Sequence, residues 1–391
     1  MIYRSEDGGW TWMPVSDGDE YGWGAPGVRA GFPIDFEVDP RDPNRIFANN
    51  YGGGNFASTD GGRTWAVASA GYTGAQVRDI AVGEGTGQVF AAARSGIFTT
   101  TDGGATWTGL NTPPAQVLEW NAVEADPANP AHVLAANNMM GVILSSNNNG
   151  EQWRIVSAHP GDMMAWSAFA FAPSNPDIVY AGISSFFSAG TFDDSRDGGG
   201  IYVSYDNGQN WTPANDALSQ SANISELAVA PDNPQTVYAA TGNMGLLKTT
   251  DGGQSWSNVS TRLPQNRPVL SVRVHPTDPG LVYVGLRNAG LYRSTDSGQS
   301  WTPWTIGMNP EASVSDILFD PTNPQTMYAT DLMSGVYRSE DGGGTWFAIN
   351  DGLRMRSVNA LALTPDGQHL YAATEGEGVF RLDLNGQPPV E

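Results

Sequence analysis

The stretch Thr249–Trp256 reads TTDGGQSW, and versions of this motif return along the whole chain. Its general form is Ser/Thr-x-Asp-x-Gly-x-Thr/Ser-Trp, which we call the box. The aspartate position of the box is occupied by Asp7, Asp60, Asp102, Asn148, Asp206, Asp251, Asp296 and Asp341. The last three intervals between these positions are 45 residues each. A recurring period of this length indicates an architecture built from repeated units.

The residues between boxes follow a strand-and-turn pattern. In the unit that contains Asp251, the alternating run Leu227–Ala230 ends at a Pro-Asp-Asn-Pro turn, and Thr236–Ala240 follows as a second apolar run. A third run, Leu246–Thr249, enters the box, and Trp256 begins a fourth. Alternation with a period of two, interrupted by Pro, Asn, Asp and Gly, predicts short strands and turns. Four strands in about 45 residues are typical of one blade of a β-propeller.

The number of first strands gives the expected number of blades. Eight runs qualify: 34–39, 77–82, 121–126, 167–172, 225–230, 270–275, 315–320 and 359–364. We therefore expect residues 1–391 to form a single all-β domain, an eight-bladed propeller of four-stranded antiparallel blades. The N-terminal and C-terminal segments are expected to share the last blade, with residues 10–15 as its outer strand. A seven-bladed ring with a leftover partial blade is the alternative.

Composition excludes several classes of partner. The chain has 391 residues, 41 acidic and 19 basic, for a formal net charge of −22. Nucleic-acid affinity comes largely from basic side chains on phosphates, so this charge argues against nucleic acid and against anionic membranes. There is no cysteine, and no apolar run approaches the ~20 residues of a membrane span. We expect an extracellular or periplasmic protein, although the first residues do not form a signal peptide.

The box resembles the Asp-box of bacterial neuraminidase repeats, and the resemblance covers practically the whole chain. Such repeats occur in sialidases, xyloglucan-cleaving endoglucanases, sortilin-type receptors and a photosystem II assembly factor. The resemblance implies a β-propeller, but it does not select among these functions, because one fold supports many.

The box aspartates themselves are expected to be structural. An Asp side chain can accept backbone N–H bonds within its own turn, glycine supplies positive φ, and the tryptophan packs against a neighbouring blade. Eight nearly identical catalytic centres would make no chemical sense. A ligand is instead expected on the opposite face, which carries the loops between second and third strands and between fourth and first strands.

Two sets of side chains are candidates for ligand binding on this loop face. Asp35, Asp79, Glu226 and Asp316 occupy equivalent positions of four first strands, so a ring of carboxylates is expected in the central channel. Aromatic side chains beside carboxylates suit a glycan, because sugar C–H faces stack on aromatic rings. The aromatic candidates are Tyr21, Trp23, Trp120, Trp166, Phe186 and Trp304. Ordinary core packing is the alternative for the aromatics, and water or a backbone amide is the alternative partner of each carboxylate.

The stretch Asp193–Gly198 reads DDSRDG and predicts a possible calcium site with Asp193 and Asp197 as ligands. Oxygen-bearing side chains at positions one, three and five, followed by glycine, match the start of a calcium loop. The twelfth position is Ser204 and not the usual glutamate. A solvated acidic loop without metal is the alternative.

One catalytic candidate comes from the resemblance to the xyloglucan-cleaving enzymes. Tyr328–Arg338 is similar to the segment that carries their catalytic aspartate, which implies Asp331 as the equivalent residue. Glycoside hydrolysis also needs a second carboxylate about 5–10 Å away, for which Glu375, Glu377, Asp316 and Asp35 are the choices. We expect binding of a neutral glycan on the loop face, with hydrolysis as a further option. A non-catalytic scaffold that binds a protein is the rival function.

Overall fold

The computed structural model describes residues 2–15, 32–51, 55–68, 76–83, 87–94, 96–112, 119–138, 141–157, 165–184 and 199–384. Within these ranges the protein consists of β-strands, turns and one short 3-10 helix at Ser219–Ser221. No helix in this part of the chain is long enough to cross a membrane. The expected all-β class is confirmed.

Six four-stranded sheets follow one another from β7 to β30, and each is an antiparallel meander. We call them blades I to VI. Blade I has β7 (Val77–Val82), β8 (Val89–Ala93), β9 (Gly96–Thr100) and β10 (Thr108–Gly109). Blade II has β11 (Trp120–Ala125), β12 (Val133–Asn137), β13 (Ile143–Ser146) and β14 (Arg154–Ile155). Blade III has β15 (Ala165–Phe171), β16 (Val179–Ser184), β17 (Gly200–Ser204) and β18 (Thr212–Pro213).

The remaining blades follow the same order. Blade IV has β19 (Ile224–Ala230), β20 (Asn233–Thr241), β21 (Gly245–Thr249) and β22 (Ser257–Asn258). Blade V has β23 (Val269–Val274), β24 (Val282–Leu286), β25 (Gly290–Ser294) and β26 (Thr302–Pro303). Blade VI has β27 (Ile317–Phe319), β28 (Met327–Asp331), β29 (Gly335–Ser339) and β30 (Phe347–Ala348). Blade VII has three strands, β31 (Val358–Leu363), β32 (His369–Thr374) and β33 (Val379–Asp383).

Two further sheets precede blade I. A two-stranded sheet pairs β1 (Tyr3–Arg4) with β2 (Met13–Pro14). A four-stranded sheet contains β3 (Phe32–Val38), β4 (Ile46–Tyr51), β5 (Phe56–Ser58) and β6 (Ala66–Val67). A small apolar cluster joins them, in which Ile2 and Val15 pack against Ile46, Ala48 and Trp65. We call these two sheets the N-terminal unit.

Blade VII packs directly against blade I, and this contact closes the ring. Ala360, Ala362 and Tyr371 share one apolar cluster with Ile80 and Ala91. The Asn359 side-chain amide donates to the Val77 carbonyl at 2.8 Å, across 282 residues of chain. Because blade VII contacts blade I directly, no further blade can lie between them in the ring.

The ring therefore has seven blades, which was the alternative, and the expectation of eight does not hold. The N-terminal and C-terminal segments do not share a blade, because β2 pairs with β1 in the register Arg4↔Met13. The reason lies in the repeat itself. The β3–β6 sheet has the sequence of a blade, but the position beside blade I that it would need is filled by blade VII.

Neighbouring blades are joined by aromatic side chains from two positions. The second strands of blades III to VII carry tyrosines that are 1% exposed, and Tyr238, for example, donates to the Ser297 carbonyl of the next blade at 3.0 Å. The box tryptophans enter the groove beside the preceding blade. The indole N–H of Trp256 donates to the Ala214 carbonyl at 2.9 Å, and that of Trp301 donates to the Val259 carbonyl at 2.8 Å. A buried tyrosine or tryptophan stabilises the contact between two sheets, because its ring buries a large apolar area while its O–H or N–H group forms a hydrogen bond.

Candidate functional site

The carboxylates of the box turns accept hydrogen bonds from residues of the same turn. In the fourth blade, Thr249 and Ser255 donate their hydroxyls to Asp251 at 2.7 and 2.5 Å, and the Ser255 backbone N–H donates at 2.9 Å. Hydrogen bonds from Ser255 and Thr249 lower the pKa of Asp251 to about 2. Asn148 accepts the same kind of bonds, from Ser146 and from the Gln152 backbone, both at 2.9 Å. A neutral amide can thus replace the carboxylate, which is what a structural turn allows and general acid or base catalysis would not.

The box turns and the loops between first and second strands meet at one end of the blades. The Gly252 N–H donates to the Gln235 carbonyl at 3.0 Å, and the Gly342 N–H donates to the Gln325 carbonyl at 2.8 Å. This end, the box face, carries the box aspartates and turn carboxylates such as Asp126 and Asp320. These carboxylates therefore lie on the face opposite the loop face.

Three of the four predicted channel carboxylates hold adjacent blades together. Asp79 accepts the Val123 N–H at 2.9 Å, Glu226 accepts the Val272 N–H at 2.8 Å and Asp316 accepts the Leu361 N–H at 2.7 Å. Asp79 and Glu226 lie on the first strand of their blades and Asp316 directly precedes one, while each donor lies on the first strand of the next blade. Side chains already engaged with the backbone in this way are poor candidates for a ligand ring.

The fourth carboxylate, Asp35, lies on β3 in the N-terminal unit, where it is exposed and accepts the Phe36 N–H at 2.8 Å. The expected ring of four carboxylates does not form, because the strand that carries Asp35 is not one of the seven strands around the channel.

Arg273 is the counter-ion inside the channel. Its guanidinium donates to Glu226 and, at 3.1 Å, to Asp316. Burial raises the pKa of Asp79 to about 7 and that of Glu124, which lies farther along β11, to about 8. Burial also raises the pKa of Asp316, against the opposing effect of Arg273. These side chains form a compact network of titratable groups in the channel. The sequence comparison aligned only the strand position of Asp79, Glu226 and Asp316, and it missed Glu124 and Arg273, which lie two residues beyond that position on their strands.

The described aromatic candidates belong to the core. Trp120 and Trp166 are 0% exposed and lie inside the apolar clusters between blades. Trp304 is partly buried, and the Arg293 guanidinium covers its ring at 3.4 Å from the centroid. The Trp304 indole N–H donates to the Gly342 carbonyl at 3.2 Å. The core-packing alternative therefore applies to Trp120 and Trp166, and Arg293 occupies the face of Trp304 on which a sugar would have to stack.

Asp331 is a buried turn residue. Its carboxylate is 1% exposed and accepts the Ser313 N–H at 2.9 Å, the Met333 N–H at 3.3 Å and the Ser334 hydroxyl. A catalytic carboxylate must reach a substrate, and these bonds hold Asp331 between its own loop and the segment before β27. The similarity to the enzyme segment reflects the common blade pattern Tyr-Ala followed by Gly-Val-Tyr, and the implied catalytic role is not supported by this geometry.

Several candidates lie outside the described residues: Tyr21, Trp23, Phe186, Asp193 and Asp197. The calcium hypothesis and part of the aromatic hypothesis therefore stay predictions. Across the described ranges, no three His, Asp or Glu side chains form a group able to hold a metal ion.

The loop face contains a cavity of about 560 Å³ between blades IV and V. Its walls are the loop from β20 to β21, the loop from β22 to β23, and the end of β24 at Leu286. These are the two kinds of loop expected on this face. Sequence analysis missed this cavity, although the ten-residue connection from Val259 to Pro268, with two prolines, is a signal that could have directed attention to it.

The cavity is lined by amides, hydroxyls, apolar groups and one cation. The polar side chains are Asn243, Asn258, Ser260, Thr261, Gln265, Asn266 and Arg267, and no lining residue in the described ranges is acidic. Asn243 and Asn258 are held in place by bonds to the Ser221 and Met244 carbonyls at 3.0 and 2.6 Å. Asn266 has a positive φ of 57°, an uncommon backbone conformation for a residue other than glycine.

Arg267 is the charged group of this cavity. Its side chain is exposed, and among the described residues it has no hydrogen bond or ion pair. Most other described arginines of the ring are engaged, for example Arg78 and Arg94 with Glu119. An unpaired guanidinium beside fixed amides is a suitable receptor for a carboxylate, to which it can make two parallel bonds.

Comparisons with known proteins support the fold. The family model described as Sortilin, neurotensin receptor 3, matches residues 199–289. A solved structure of YCF48 bound to D1 peptide is 14% identical, covers 80% of this chain and 95% of that chain, and has a TM-score of 0.58. A GH74 enzyme of Niastella koreensis is 15% identical, covers 97% of this chain and 69% of that chain, and has a TM-score of 0.47. No curated protein matches the chain. The chain is a β-propeller, and its residues 199–289 resemble the sortilin family of propellers.

Proposed function

We propose that the seven-bladed ring is a non-catalytic binding module that takes a carboxylate-bearing peptide segment in the cavity between blades IV and V. The observation that carries this proposal is the lining of the cavity, where the residues that the structure describes include Arg267, which has no partner among them, and several amides, but no acidic side chain. This is the rival function of the sequence analysis, with the place and the chemistry of the ligand added.

The chemistry of the cavity favours binding over hydrolysis. Glycoside hydrolysis uses two carboxyl groups that flank the scissile bond, and the described residues that line the cavity provide none. Asp331, the catalytic candidate, is buried and accepts the backbone N–H groups of Ser313 and Met333. The amides of Asn243 and Asn258 are already oriented, so that a ligand would not have to order them, and preorganisation of this kind favours affinity.

A peptide is the first ligand class to test. One solved structure of similar fold is that of YCF48 bound to D1 peptide, which illustrates that a ring of this kind can hold a peptide. The distribution of charge also favours a carboxylate at this place. The box face carries box aspartates such as Asp251, whereas the exposed Arg267 lines the cavity.

The test is a library of peptides with free C-terminal carboxylates, compared with the same peptides after C-terminal amidation. We expect binding of a subset of the acids, weakened about 10- to 100-fold by Arg267→Ala, since a charged hydrogen bond contributes about 1.5–3 kcal/mol. Arg154→Ala is the matched control, because Arg154 is exposed on β14 and its side chain makes no hydrogen bond or ion pair with the described residues. Equal binding of amidated peptides, or equal loss in both variants, would contradict the proposal.

A neutral glycan is the second candidate ligand. The amides and hydroxyls of the cavity could bind sugar hydroxyls, although its lining contains no tryptophan for stacking. A glycan array, with a reducing-sugar assay on each bound glycan, separates the possibilities. Glycan binding lost in Asn266→Ala would favour this candidate, and turnover lost in Asp331→Asn would revive the enzyme. An extracytoplasmic location also stays a prediction, which fractionation of the producing cells would test.

A further inference from the structure

Blade VII lacks the fourth strand that every other blade of the ring has. In blades I to VI the third strand pairs with a two-residue fourth strand, whereas the sheet order of blade VII ends at β33. In the described part of the chain, blade VII is thus the only blade of the ring whose third strand forms the outer edge. Unpaired strand edges of this kind favour the addition of a strand from another chain.

One backbone hydrogen bond shows what this edge lacks. In each of blades I to VI, the residue three positions after the box tryptophan donates its N–H to a carbonyl of the third strand, as Ile349 does to Val336 at 2.9 Å. The six acceptors, all at 2.8 or 2.9 Å, are Ile97, Ile143, Ile201, Leu246, Leu291 and Val336. Val379 is the equivalent residue of blade VII, and no described residue donates to its carbonyl.

The side chains of β33 are also incompletely covered. The six equivalents of Val379 in the other blades are between 0% and 3% exposed, whereas Val379 itself is only partly buried. Phe380 and Leu382 are partly buried as well and pack against the apolar cluster between blades VI and VII. Strand β33 therefore presents apolar side chains together with an unpaired backbone carbonyl.

The existing fourth strands show which side chains such an edge receives. The box tryptophan enters the groove beside the preceding blade, and Trp346 of blade VI accordingly packs in the cluster between blades V and VI. The residue three positions later faces the following blade, and Ile349 packs against the cluster between blades VI and VII. A segment on β33 would thus place an aromatic side chain beside blade VI and an apolar side chain, three positions later, beside blade I.

Both grooves beside blade VII contain hydrogen-bonding groups that suit this segment. In blades IV to VI the tryptophan N–H donates to a carbonyl of the preceding fourth strand, which for blade VII would be the carbonyl of Ile349. No described residue donates to that carbonyl. Trp107 of blade I packs against the same cluster as Val379, and its indole N–H has no acceptor among the described residues, as is also true of Trp153 and Trp211. The carbonyl of the apolar residue of the segment would lie in position to accept it.

This chain offers no described segment that is available for the place. Trp12–Val15 has the required spacing, but the Val15 N–H donates to the Ile2 carbonyl at 2.9 Å and Val15 packs inside the N-terminal unit. The same contacts engage this segment in a second copy. Residues 385–391, which lie outside the described part of the chain, include no aromatic residue. The occupant that fits the edge therefore comes from a different protein.

We propose that the β33 edge of blade VII binds an extended segment of a partner protein with the pattern Trp-x-x-apolar, which adds to the blade as its fourth strand. Main-chain bonds to β33 hold the segment, and the two side chains in the grooves provide specificity. No residue that lines the cavity between blades IV and V takes part. The surface is therefore independent of the proposed carboxylate site.

A synthetic peptide with the sequence of residues 299–306, QSWTPWTI, tests the edge because it contains the fourth strand of blade V. The peptide is amidated at its C-terminus so that it does not offer a carboxylate to Arg267. Fluorescence anisotropy should show binding to the full chain. Affinity should fall at least ~10-fold when alanine replaces the first tryptophan, which empties one groove, and when the second tryptophan is N-methylated, which removes the donor to Val379. No binding, or equal affinity of the three peptides, would overturn the proposal.

Disulfide capture locates the site. The chain has no cysteine, so Arg381→Cys places a single thiol on β33, and Arg338→Cys places one at the equivalent position of blade VI, where a fourth strand is present. Arg338 pairs with Phe347, the first residue after the tryptophan of that strand. A peptide with cysteine at this position, QSWCPWTI, should be captured by Arg381→Cys in a glutathione buffer and not by Arg338→Cys. Equal capture by the two variants would contradict the placement on blade VII.

Two controls address other occupants of the edge. Sedimentation velocity should show no dimer that the peptide dissociates, since such a dimer would mean that a second copy covers β33. Deletion of residues 385–391 should leave the affinity for the peptide unchanged, since binding only after the deletion would mean that the end of the same chain covers the edge. Either of these results would overturn the assignment to a partner protein.

Discussion

Replacement of two box tryptophans by alanine distinguishes a seven-bladed ring from an eight-bladed one. Trp346 belongs to the box of blade VI and is 1% exposed, with its indole N–H donating to the Trp304 carbonyl at 3.1 Å. Trp12 occupies the same motif position in the N-terminal unit but is 60% exposed, and its N–H donates to the Gly9 carbonyl at 3.0 Å. In an eight-bladed ring closed by residues 10–15, the two tryptophans would have equivalent surroundings.

The structure gives different energies for the two changes. A tryptophan buries about 150–250 Å², and at about 25 cal/mol per Å² its full burial contributes about 4–6 kcal/mol. Measured losses for Trp→Ala in protein cores are about 3–5 kcal/mol. We therefore expect Trp346→Ala to lower the free energy of unfolding of the ring by about 4 kcal/mol. Trp12→Ala removes only contacts within the N-terminal unit and should change the unfolding of the ring by less than about 0.5 kcal/mol.

Urea denaturation followed by far-ultraviolet circular dichroism measures both effects, since the signal comes mainly from the strands of the ring. The midpoint should fall strongly in Trp346→Ala and stay in place in Trp12→Ala. A comparable loss in the two variants would refute the seven-bladed closure, because Trp12 could then be buried only between two blades of the ring.

Three further predictions concern the channel and the turns. The free energy of unfolding should fall as pH rises from 5 to 9. Burial raises the pKa of Asp79 to about 7 and that of Glu124 to about 8 in the folded protein, whereas the ordinary pKa of these groups is near 4. The stability that these protonated carboxyls contribute below pH 4 is therefore lost as the pH rises through the two raised values. Urea titrations at several pH values check this, and Glu124→Gln should flatten the slope by up to about 1.4 kcal/mol per pH unit. Arg273→Met should destabilise the ring more at pH 8 than at pH 5, since it leaves Glu226 and Asp316 without their counter-ion; equal losses at both pH values would argue against that role. Gly307→Ala should cost more than Gly352→Ala in thermal melts, because both glycines have positive φ but only a Cβ at Gly307 would overlap the Trp346 backbone; similar melting temperatures would contradict the packing at that turn.

The local sequence was enough to predict the strands, the turns, and the structural role of the box turns on the face opposite the loop face. The blade pattern is completed within about 45 residues, and its determinants, such as Asp251 with Thr249 and Ser255, lie two to four residues apart. Such contacts depend on backbone geometry that the same short segment defines. The placement of the cavity on the expected loop face follows from the same local rule, because antiparallel strands return their connections to alternate ends.

The candidate ligand residues were harder to predict, because burial depends on neighbours far along the chain. Trp120 and Trp166 have the residue type expected of a sugar platform, but the adjacent blade covers both of them. Asp79 and Asp316 have the type expected of a cation or glycan site, but Val123 and Leu361 of the next blades occupy their oxygens. Residue type and spacing would have been the same whether these side chains bound a ligand or were part of the core.

The sequence by itself determined that this protein is built from propeller blades, because each blade is encoded by short-range alternation and by turns that satisfy their own hydrogen bonds. Only the tertiary structure decided how many of those units close the ring. Every blade has nearly the same faces, so the local pattern does not specify which two terminal blades meet, and that choice depends on contacts such as Asn359 with Val77, 282 residues apart. The same long-range closure leaves the N-terminal unit outside the ring.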